Sequence, residues 1–416
     1  MAAKEKIAGY EPRLREYTNF AVRGVRKVCK ECGPRPSCSA GERKAQEMMR
    51  TELETCCDEV RMEEFKAAPG AFLLWVRTGV LAGLAGALLY NLGYAIAAAA
   101  VLALALLFAL LQFILYRQAA DFLPRKTSQN LIGVRKPSGE VKRRLILCGH
   151  TDTSYERTYT YLGYKHFKKP VLLVPVAASC FAAVLFGLGV SVWSIAAGEG
   201  WAGVGGLAGR TPLLALLGYV FAGLCLPLLS GWFFQNKKRP VTGANKNLSG
   251  CFTAMAVPKL LGGLKLRLEN TEIMVLCGGC GEIGPRGVKA FCKAHAREFG
   301  DAETIFIALD TIADLDHMAV RHGGAVCALL QASAKTAGHE LPRGRRSFGA
   351  SDAAAQAGLR ACMLAAADPA PADYYRTRLD TAERLQPKTV EACLNILMET
   401  AYQFDETGLA PFGGTR

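Results

Sequence analysis

Four long apolar runs constrain this chain more than any other feature of its sequence. They cover residues 72–89, 94–116, 170–195 and 212–234, and each is long enough for a helix to cross a bilayer, which takes about 20 residues. Four residues separate the first two runs, and a glycine-rich stretch joins the second two. Buried core helices of a soluble enzyme are the alternative, but flanking Lys and Arg residues favour the membrane. The sequence therefore predicts two transmembrane hairpins, at 72–116 and 170–234.

The charges around these runs predict an orientation. Four spans would place residues 1–70, 117–169 and 235–416 on one side of the membrane. The loops on the other side carry almost no positive charge, whereas the flanks on this side are basic, and the positive-inside rule assigns such flanks to the cytoplasm. The first six residues contain no apolar signal-peptide core. We therefore expect a multi-pass cell-membrane protein with a cytoplasmic soluble domain, whose first partner is the lipid bilayer.

The net charge of +14 does not predict nucleic-acid binding. Much of the surplus lies beside the apolar runs, and the sequence has no basic stripe with interleaved aromatic residues. The fifteen cysteines match no disulfide framework, so we expect free, mostly buried thiols. The two CxxC motifs, at 29–32 and 277–280, lack the second pair of ligands that a zinc site needs, and a structural role is expected for both.

The soluble segments alternate between strand-like and helix-like patterns. Apolar strand patterns cover residues 130–134, 144–148, 272–277 and 304–309, and helical spacing of apolar residues covers 11–33, 41–58, 248–261 and 288–299. This alternation predicts an α/β fold with a largely parallel, buried sheet.

Polar motifs follow these strands, at the edge of a parallel sheet where ligands usually bind. A single acidic residue in such a place is more often a helix cap or a salt-bridge partner, so the order of the motifs carries the argument. In chain order they are Gly149-His150-Thr151-Asp152, the segment 243–250 with Lys246, Cys280-Gly281-Glu282, Asp310, and Tyr375-Arg376 followed by Asp380.

In this order the motifs resemble the two-zinc exopeptidases, a family that includes bacterial leucyl aminopeptidases, glutamate carboxypeptidase and glutaminyl cyclase. The resemblance extends over the chain outside the hairpins, including the segments 33–42 and 351–358. It implies a three-layer zinc-exopeptidase-like domain with a mostly parallel central sheet, formed discontinuously by residues 1–70, 117–169 and 235–416.

The resemblance also implies roles for individual residues. His150 matches a histidine ligand of the first zinc, Asp152 the carboxylate that orients it, Asp310 another ligand of that zinc, and Glu282 a ligand of the second zinc. Three positions depart from the family pattern. Lys246 stands where the bridging aspartate is expected, Arg376 where a histidine ligand is expected, and Gly281 where the general-base glutamate is expected. No acidic residue lies between 239 and 268, so a shifted alignment does not restore the bridge.

These replacements predict a metal-free salt-bridge cluster, in which Lys246 and Arg376 supply the positive charge that zinc would bring. A weak single-metal site using His150, Asp310 and Glu282 is the remaining option. We therefore expect a catalytically inactive, aminopeptidase-like protein without a cofactor, which binds an unknown ligand or protein partner at the membrane. The alternative is an active membrane metallo-aminopeptidase that uses zinc. A transport-associated role is a third possibility, although Arg77 is the only ionisable residue within the predicted spans.

Overall fold

The computed structural model describes residues 3–71, 73–111, 123–170, 172–201, 208–321, 323–344, 349–368 and 372–413. The chain divides into two compact units. Unit 1 comprises Met1–Ala67, Lys126–Tyr155 and Lys238–Arg416, and unit 2 comprises Ala68–Arg125 and Glu156–Lys237.

Unit 1 is built on a seven-stranded sheet with the order β1-β2-β6-β3-β7-β9-β8. The four central strands β6, β3, β7 and β9 are parallel, and the flanking strands pair antiparallel. The predicted α/β class with a mostly parallel central sheet is thus confirmed. The strands are β1 (Glu59–Ala67), β2 (Lys126–Arg135), β3 (Arg143–His150), β6 (Thr271–Gly278), β7 (Glu303–Ile312), β8 (Met318–Arg321) and β9 (Arg360–Ala366).

Helices cover both faces of this sheet, because its central strands are apolar on both sides. In β3, Leu145 and Leu147 enter one core, while Ile146 and Cys148 enter the other. The first core also contains residues of α2, α9, α11 and α13, and the second contains residues of α10 and α12. The helices of unit 1 are α1 (Ala3–Lys6), α2 (Tyr10–Cys32), α3 (Ala40–Leu53), α9 (Ser249–Gly263), α10 (Arg286–Ala294), α11 (Ala325–Thr336), α12 (Ala350–Gln356) and α13 (Pro387–Thr407).

One disulfide corrects the prediction that all cysteines are free. Cys327 on α11 is bonded to Cys362 on β9, and the other thirteen cysteines are free thiols. This disulfide was not predicted because the two cysteines are 35 residues apart and the cysteine spacings of the chain match no known disulfide framework.

Unit 2 is a helical bundle made from two chain segments. The two strands β4 (Tyr155–Arg157) and β5 (Gln235–Pro240) lie at the beginning and the end of its second segment and pair as a two-stranded sheet. Its helices are α4 (Leu74–Asn91), α5 (Ala95–Ala109), α6 (Thr158–Phe167), α7 (Leu173–Ala196) and α8 (Pro212–Leu228). The sequence analysis had grouped the segment of α6 with the soluble domain. The helices pack closely through small residues: a Cβ at Gly187 would lie 2.1 Å from the Phe221 ring.

The surface of unit 2 is apolar. Within the described part of the chain, every exposed large apolar side chain except Val141 belongs to this unit, and Leu226 and Leu104 are 72% and 65% exposed. Its buried interior includes polar contacts, since the Tyr90 hydroxyl bonds to Ser194 Oγ at 2.8 Å and to the Leu214 carbonyl at 3.0 Å. An apolar exterior around a partly polar interior is the reverse of the pattern of a water-soluble bundle.

Among the residues that the structure describes, two helices are long and apolar enough to cross a membrane, judged by length and composition, rather than the four that the sequence predicts. They are Ala178–Ala196 and Pro212–Phe233. Helix α4 is less apolar because it contains Arg77 and ends in Asn91. Helix α5 is described over 15 residues, Ala95–Ala109, and residues 112–116 of the predicted second span lie outside the described residues.

Candidate functional site

The predicted site residues meet at the carboxyl edge of the parallel strands. Strands β3 and β6 end at His150 and Gly278, and Asp310 lies near the end of β7. Because these strands are parallel neighbours, the segments that follow them start from the same edge of the sheet.

Asp152 fastens three segments of this site together. The residue is completely buried, and its carboxylate accepts hydrogen bonds from the backbone N–H groups of Gly281 (2.7 Å) and Glu282 (3.0 Å) and from the Ser37 hydroxyl (2.5 Å). Its Oδ1 also lies 2.9 Å from Nδ1 of His150. Burial raises the pKa of Asp152, but His150 and the other hydrogen-bond donors lower this pKa by more than burial raises it, so the net shift is downward. Asp152 and His150, which the resemblance assigns to one another, therefore lie in hydrogen-bond contact.

Lys246 is paired with Asp310. Lys246 lies in a single π-helical turn, Ala244–Leu248, which leads into α9, and its Nζ lies 2.5 Å from Asp310 Oδ1. The Lys246 side chain is 8% exposed. Burial alone would lower the pKa of Lys246, but Asp310 reverses this and the net shift is upward. Burial likewise raises the pKa of Asp310, and Lys246 outweighs it, so that this pKa falls to about 2. Both groups therefore favour their charged forms.

Arg376 is paired with Glu282. Its Nη2 lies 2.8 Å from Glu282 Oε2, and both side chains are largely buried. Burial lowers the pKa of Arg376, and the charge of Glu282 more than offsets this effect. The guanidinium also lies 5.3 Å from the ring centre of Tyr375, and Lys246 Nζ lies 5.8 Å from the same ring. Each cation expected from the sequence is thus in an ion pair with one of the expected carboxylates.

Gly281 has no room for a side chain. An added Cβ would lie 2.4 Å from Cγ and 2.6 Å from Nδ1 of His150, which is closer than real side chains approach each other. The His150 imidazole therefore occupies the space that a glutamate at position 281 would need.

A cavity of about 80 Å³ lies between the two ion pairs and the sheet edge. His150, Lys246, Asp310 and Arg376 line it, together with residues after β6 and at the start of α12. Ligand pockets for drug-sized molecules are about 300–1,000 Å³, so in this conformation the cavity admits only a small, polar ligand.

The residues of this site do not fit a pair of zinc ions. Catalytic zinc needs three protein ligands, usually His, Asp, Glu or Cys. In the described part of the chain, no group of three or more such residues is arranged to hold a metal. Asp310 and Glu282 are each engaged by a cation instead, and Lys246 and Arg376 supply no ligand atom while they are protonated.

Two further buried residues position the site, and the sequence analysis did not assign them a role. Asp380 is fully buried and accepts hydrogen bonds from the N–H groups of Asn245 (2.7 Å) and Lys246 (3.2 Å), which fixes the turn that carries Lys246. Arg35 is fully buried and donates to backbone carbonyls of three segments, at Gly33, Thr151, Thr242 and Gly243. Arg35 lies in the segment 33–42 and Asp380 in the last of the polar motifs, and both belong to the family resemblance. That resemblance was the sequence signal that could have pointed to these two residues.

Backbone strain concentrates here. Six described residues other than glycine have a positive φ, and four of them lie at or beside the site: Cys38, Cys280, Thr311 and Arg376. Such conformations persist only where the surrounding structure enforces them, and they cluster at functional sites.

Comparisons with known proteins agree with this architecture. No protein-family model matches the chain, and no curated protein matches it. Solved structures do. An aminopeptidase from Aneurinibacillus sp. strain AM-1 is 12% identical, with a TM-score of 0.56 over 94% of this chain and 95% of that one. A zinc aminopeptidase from Bacillus subtilis is 11% identical, with a TM-score of 0.55 over 93% and 94%.

A third structure extends the likeness beyond aminopeptidases. The glutaminyl cyclase of Fimbriiglobus ruber is 15% identical, with a TM-score of 0.53 over 92% of this chain and 94% of that one. The likeness covers nearly the full length of each protein, and at these identities it concerns the fold. The chain therefore has the fold of the two-zinc exopeptidases, shared by zinc aminopeptidases and glutaminyl cyclases.

Proposed function

We propose that this protein is a membrane-anchored binding or scaffolding protein in which two ion pairs replace the two zinc ions of the exopeptidase fold. The observation that carries the proposal is the pairing of Lys246 with Asp310 and of Arg376 with Glu282. Each cation stands where the family resemblance expects a zinc ligand, and each neutralises a carboxylate that the resemblance assigns to zinc.

The cations and a metal compete for the same carboxylates. A zinc ion on Asp310 would lie next to the ammonium of Lys246, and two positive charges about 4 Å apart repel by several kcal/mol at the effective dielectric near a protein surface. Lys246 would have to lose its proton or leave, and its pKa is raised rather than lowered. Zinc binding is therefore disfavoured at neutral pH.

Hydrolysis would also lack its base. A positioned general base contributes on the order of 10² to 10⁴ in rate, and position 281 has neither a carboxylate nor space for one. His150 shares its Nδ1 with Asp152, as a metal ligand or a structural histidine would. Binding thus fits these residues better than peptide cleavage does. The size of the cavity favours a small, polar ligand, or a protein that contacts its rim.

An active membrane metallo-aminopeptidase is the second candidate function. The His150–Asp152 arrangement favours it, because metal-ligating histidines usually donate their second N–H to a carboxylate. This function would require Lys246 and Arg376 to leave their partners before metal could bind.

Membrane anchoring rests on unit 2. Its exposed leucines and aromatic residues would be costly to keep in water, and the two helices that pass the length and composition test belong to it. We propose that α4 and α5 complete a four-span anchor and that both soluble termini face the cytoplasm. Reporter fusions after residue 416 and within the 196–211 loop test this orientation, and an extracytoplasmic signal from the residue 416 fusion would overturn it.

The decisive experiment on function measures metal and activity in the same sample. Purified full-length protein in detergent is expected to contain no stoichiometric zinc after zinc loading, and to release no product from aminoacyl substrates or from N-terminal glutamine peptides. About two zinc ions per chain, or turnover that a chelator abolishes, would establish the metallo-aminopeptidase instead.

A constructive variant sharpens this test. Lys246→Asp with Arg376→His restores one carboxylate and one imidazole, and zinc uptake is expected to rise to at least one ion per chain. Lys136→Asp is the matched control, because Lys136 pairs with Glu59 on the surface, with 53% of its side chain exposed. Lys136→Asp changes the charge by the same amount as Lys246→Asp, but at a surface position. The Lys136→Asp protein should take up no zinc.

A further inference from the structure

We propose that Cys38 and Cys280 form a thiol–disulfide exchange site that small disulfides, such as oxidised glutathione, convert into an intramolecular crosslink. Their sulfur atoms lie 3.3 Å apart without being bonded, although 242 residues separate them in the sequence. Neither thiol takes part in the ion pairs described above.

A single buried carboxylate holds the two cysteines together. Glu42 is 2% exposed, and its Oε2 accepts the backbone N–H of Cys38 at 2.7 Å while its Oε1 accepts that of Cys280 at 2.8 Å. Ser128 Oγ donates to the same carboxylate at 2.9 Å. Both cysteine backbones are therefore fixed to one group, which presents the thiols to each other.

The residues next to each cysteine are clamped in the same way. Asp152 accepts the hydroxyl of Ser37, which precedes Cys38, and the N–H groups of Gly281 and Glu282, which follow Cys280. Two buried carboxylates thus lock the same pair of loops. Both cysteines also adopt left-handed backbone angles, with φ of 62° and 54°. This conformation is unfavourable for residues other than glycine and persists only where the surrounding contacts enforce it.

The two thiols differ in access, which sets the order of the chemistry. Cys38 is partly exposed, whereas Cys280 is completely buried. The Cys38 thiolate attacks one sulfur of oxidised glutathione, whose S–S bond breaks and releases one glutathione thiolate. The Cys280 thiolate then attacks Cys38 Sγ, breaks the mixed disulfide and releases the second glutathione. Two electrons pass from the cysteines to the two glutathiones, which also take up the two cysteine protons.

The crosslink would act on the site through Cys280. This residue directly precedes Gly281 and Glu282, and Glu282 is the partner of Arg376. Oxidation ties this loop covalently to the loop at 37–38, so Glu282 loses freedom to leave its ion pair. The redox state of the pair thereby controls how readily the cavity can open.

The test uses full-length protein in detergent, incubated in mixtures of reduced and oxidised glutathione. Remaining thiols are blocked, oxidised thiols are then reduced and labelled, and mass spectrometry reads the oxidised fraction of each cysteine. Cys38 and Cys280 should be oxidised together, in equal amounts, and a second sample that is blocked and digested without reduction should contain one peptide crosslinked through these two cysteines. In Cys280→Ser the mixed disulfide on Cys38 should accumulate about tenfold or more above its level in the wild-type protein, because the proximate resolving thiol is missing. In Cys38→Ser, Cys280 should stay reduced.

A control pair comes from Cys56 and Cys57, whose sulfur atoms lie 4.0 Å apart. Cys57→Ser should leave the oxidation of Cys38 and Cys280 unchanged. Two results would overturn the proposal: both cysteines staying reduced throughout the glutathione series, or wild-type Cys38 retaining as much bound glutathione as it does in Cys280→Ser. The first of these results comes from the wild-type protein alone, so it decides the question even where a serine variant fails to fold.

Discussion

A Cβ on Gly281 would lie 2.4 Å from Cγ of His150, so a side chain at position 281 and the imidazole of His150 exclude each other. The general-base glutamate that the family resemblance expects at position 281 is therefore incompatible with His150 in its present place. The His150 imidazole fills the space beside position 281, where it contacts Asp152. Restoring a glutamate at position 281 requires His150 to move, and the two positions must be changed together.

Gly281→Ala should lower the free energy of unfolding by about 1–3 kcal/mol, the usual cost of overpacking a rigid site. Thermal unfolding of the purified protein measures this. Gly300→Ala is the control, because a Cβ there has no neighbour within 4 Å. The double variant Gly281→Ala with His150→Ala should be less destabilised than the sum of its single changes. Simple additivity would show that the two residues do not compete for space.

Lys246→Met should destabilise unit 1 by about 3 kcal/mol, because it leaves the Asp310 carboxylate in a largely buried site without its cation. Adding Asp310→Asn should recover part of that loss. Lys136→Met removes an exposed partner of Glu59 and should have little effect on stability, because solvent screens such a pair. Chemical unfolding, monitored by a probe in unit 1, compares these three variants with the wild-type protein. Equal effects of the two lysine changes would refute the special role of the buried pair.

The acid stability of the protein should depend on Asp58. Two hydrogen bonds from Arg267, at 2.6 and 2.7 Å, and one from the Lys136 N–H lower the pKa of Asp58 from 3.8 to about 2. A carboxylate with a lowered folded-state pKa stabilises the protein above its unfolded pKa, and this contribution is lost as the pH falls. The stability difference between wild type and Asp58→Asn should thus be constant above about pH 5 and shrink between pH 4 and 2. Asp301→Asn, a change at an exposed residue, should show no such trend. A difference that stays constant down to pH 2 would contradict this assignment.

The change Leu226→Lys tests whether the exposed face of α8 contacts lipid or water. Leu226 is 72% exposed on α8, so in water the change should be nearly neutral. In a bilayer, a lysine near the centre of a span costs about 2.5–3.5 kcal/mol, and the fraction of protein resistant to alkaline extraction from membranes should fall. Val141→Lys is the control, since Val141 is an exposed apolar residue of unit 1. Unchanged membrane retention of Leu226→Lys would argue that α8 faces water.

The central strands were predictable because burial on both faces requires continuous apolar runs. The edge strand β1 was missed for the opposite reason. Its sequence, Glu-Val-Arg-Met-Glu-Glu-Phe-Lys-Ala, contains five charged residues, which an edge strand tolerates and which conceal the strand pattern. Strand β9 consists of three Ala residues with Arg, Cys, Met and Leu, and its length and composition resemble those of a buried helix segment.

The site was predictable to the level of residue identity but not of geometry. The order of the motifs brought together His150, Lys246, Glu282, Asp310 and Arg376 through the family resemblance. No local pattern indicates that a side chain at position 281 would collide with His150, or that Glu42 joins two distant cysteines. Those relationships arise from tertiary packing between segments more than 100 residues apart. Arg35 was overlooked for a related reason: arginine is seldom fully buried, and its burial becomes favourable only once four backbone carbonyls converge on it.

The discontinuous sheet of unit 1 has a consequence for the order of biosynthesis. Strand β3 pairs with β6 and β7, and both of these strands are synthesised after the second apolar hairpin. Until residue 312 has been made, the middle strand of the sheet lacks one or both of its neighbours. Both apolar hairpins are therefore available to the insertion machinery while unit 1 is still unfolded. The proposed insertion of unit 2 into the bilayer should therefore precede the folding of unit 1, and a ribosome-bound chain stalled between the two events would present β3 to chaperones.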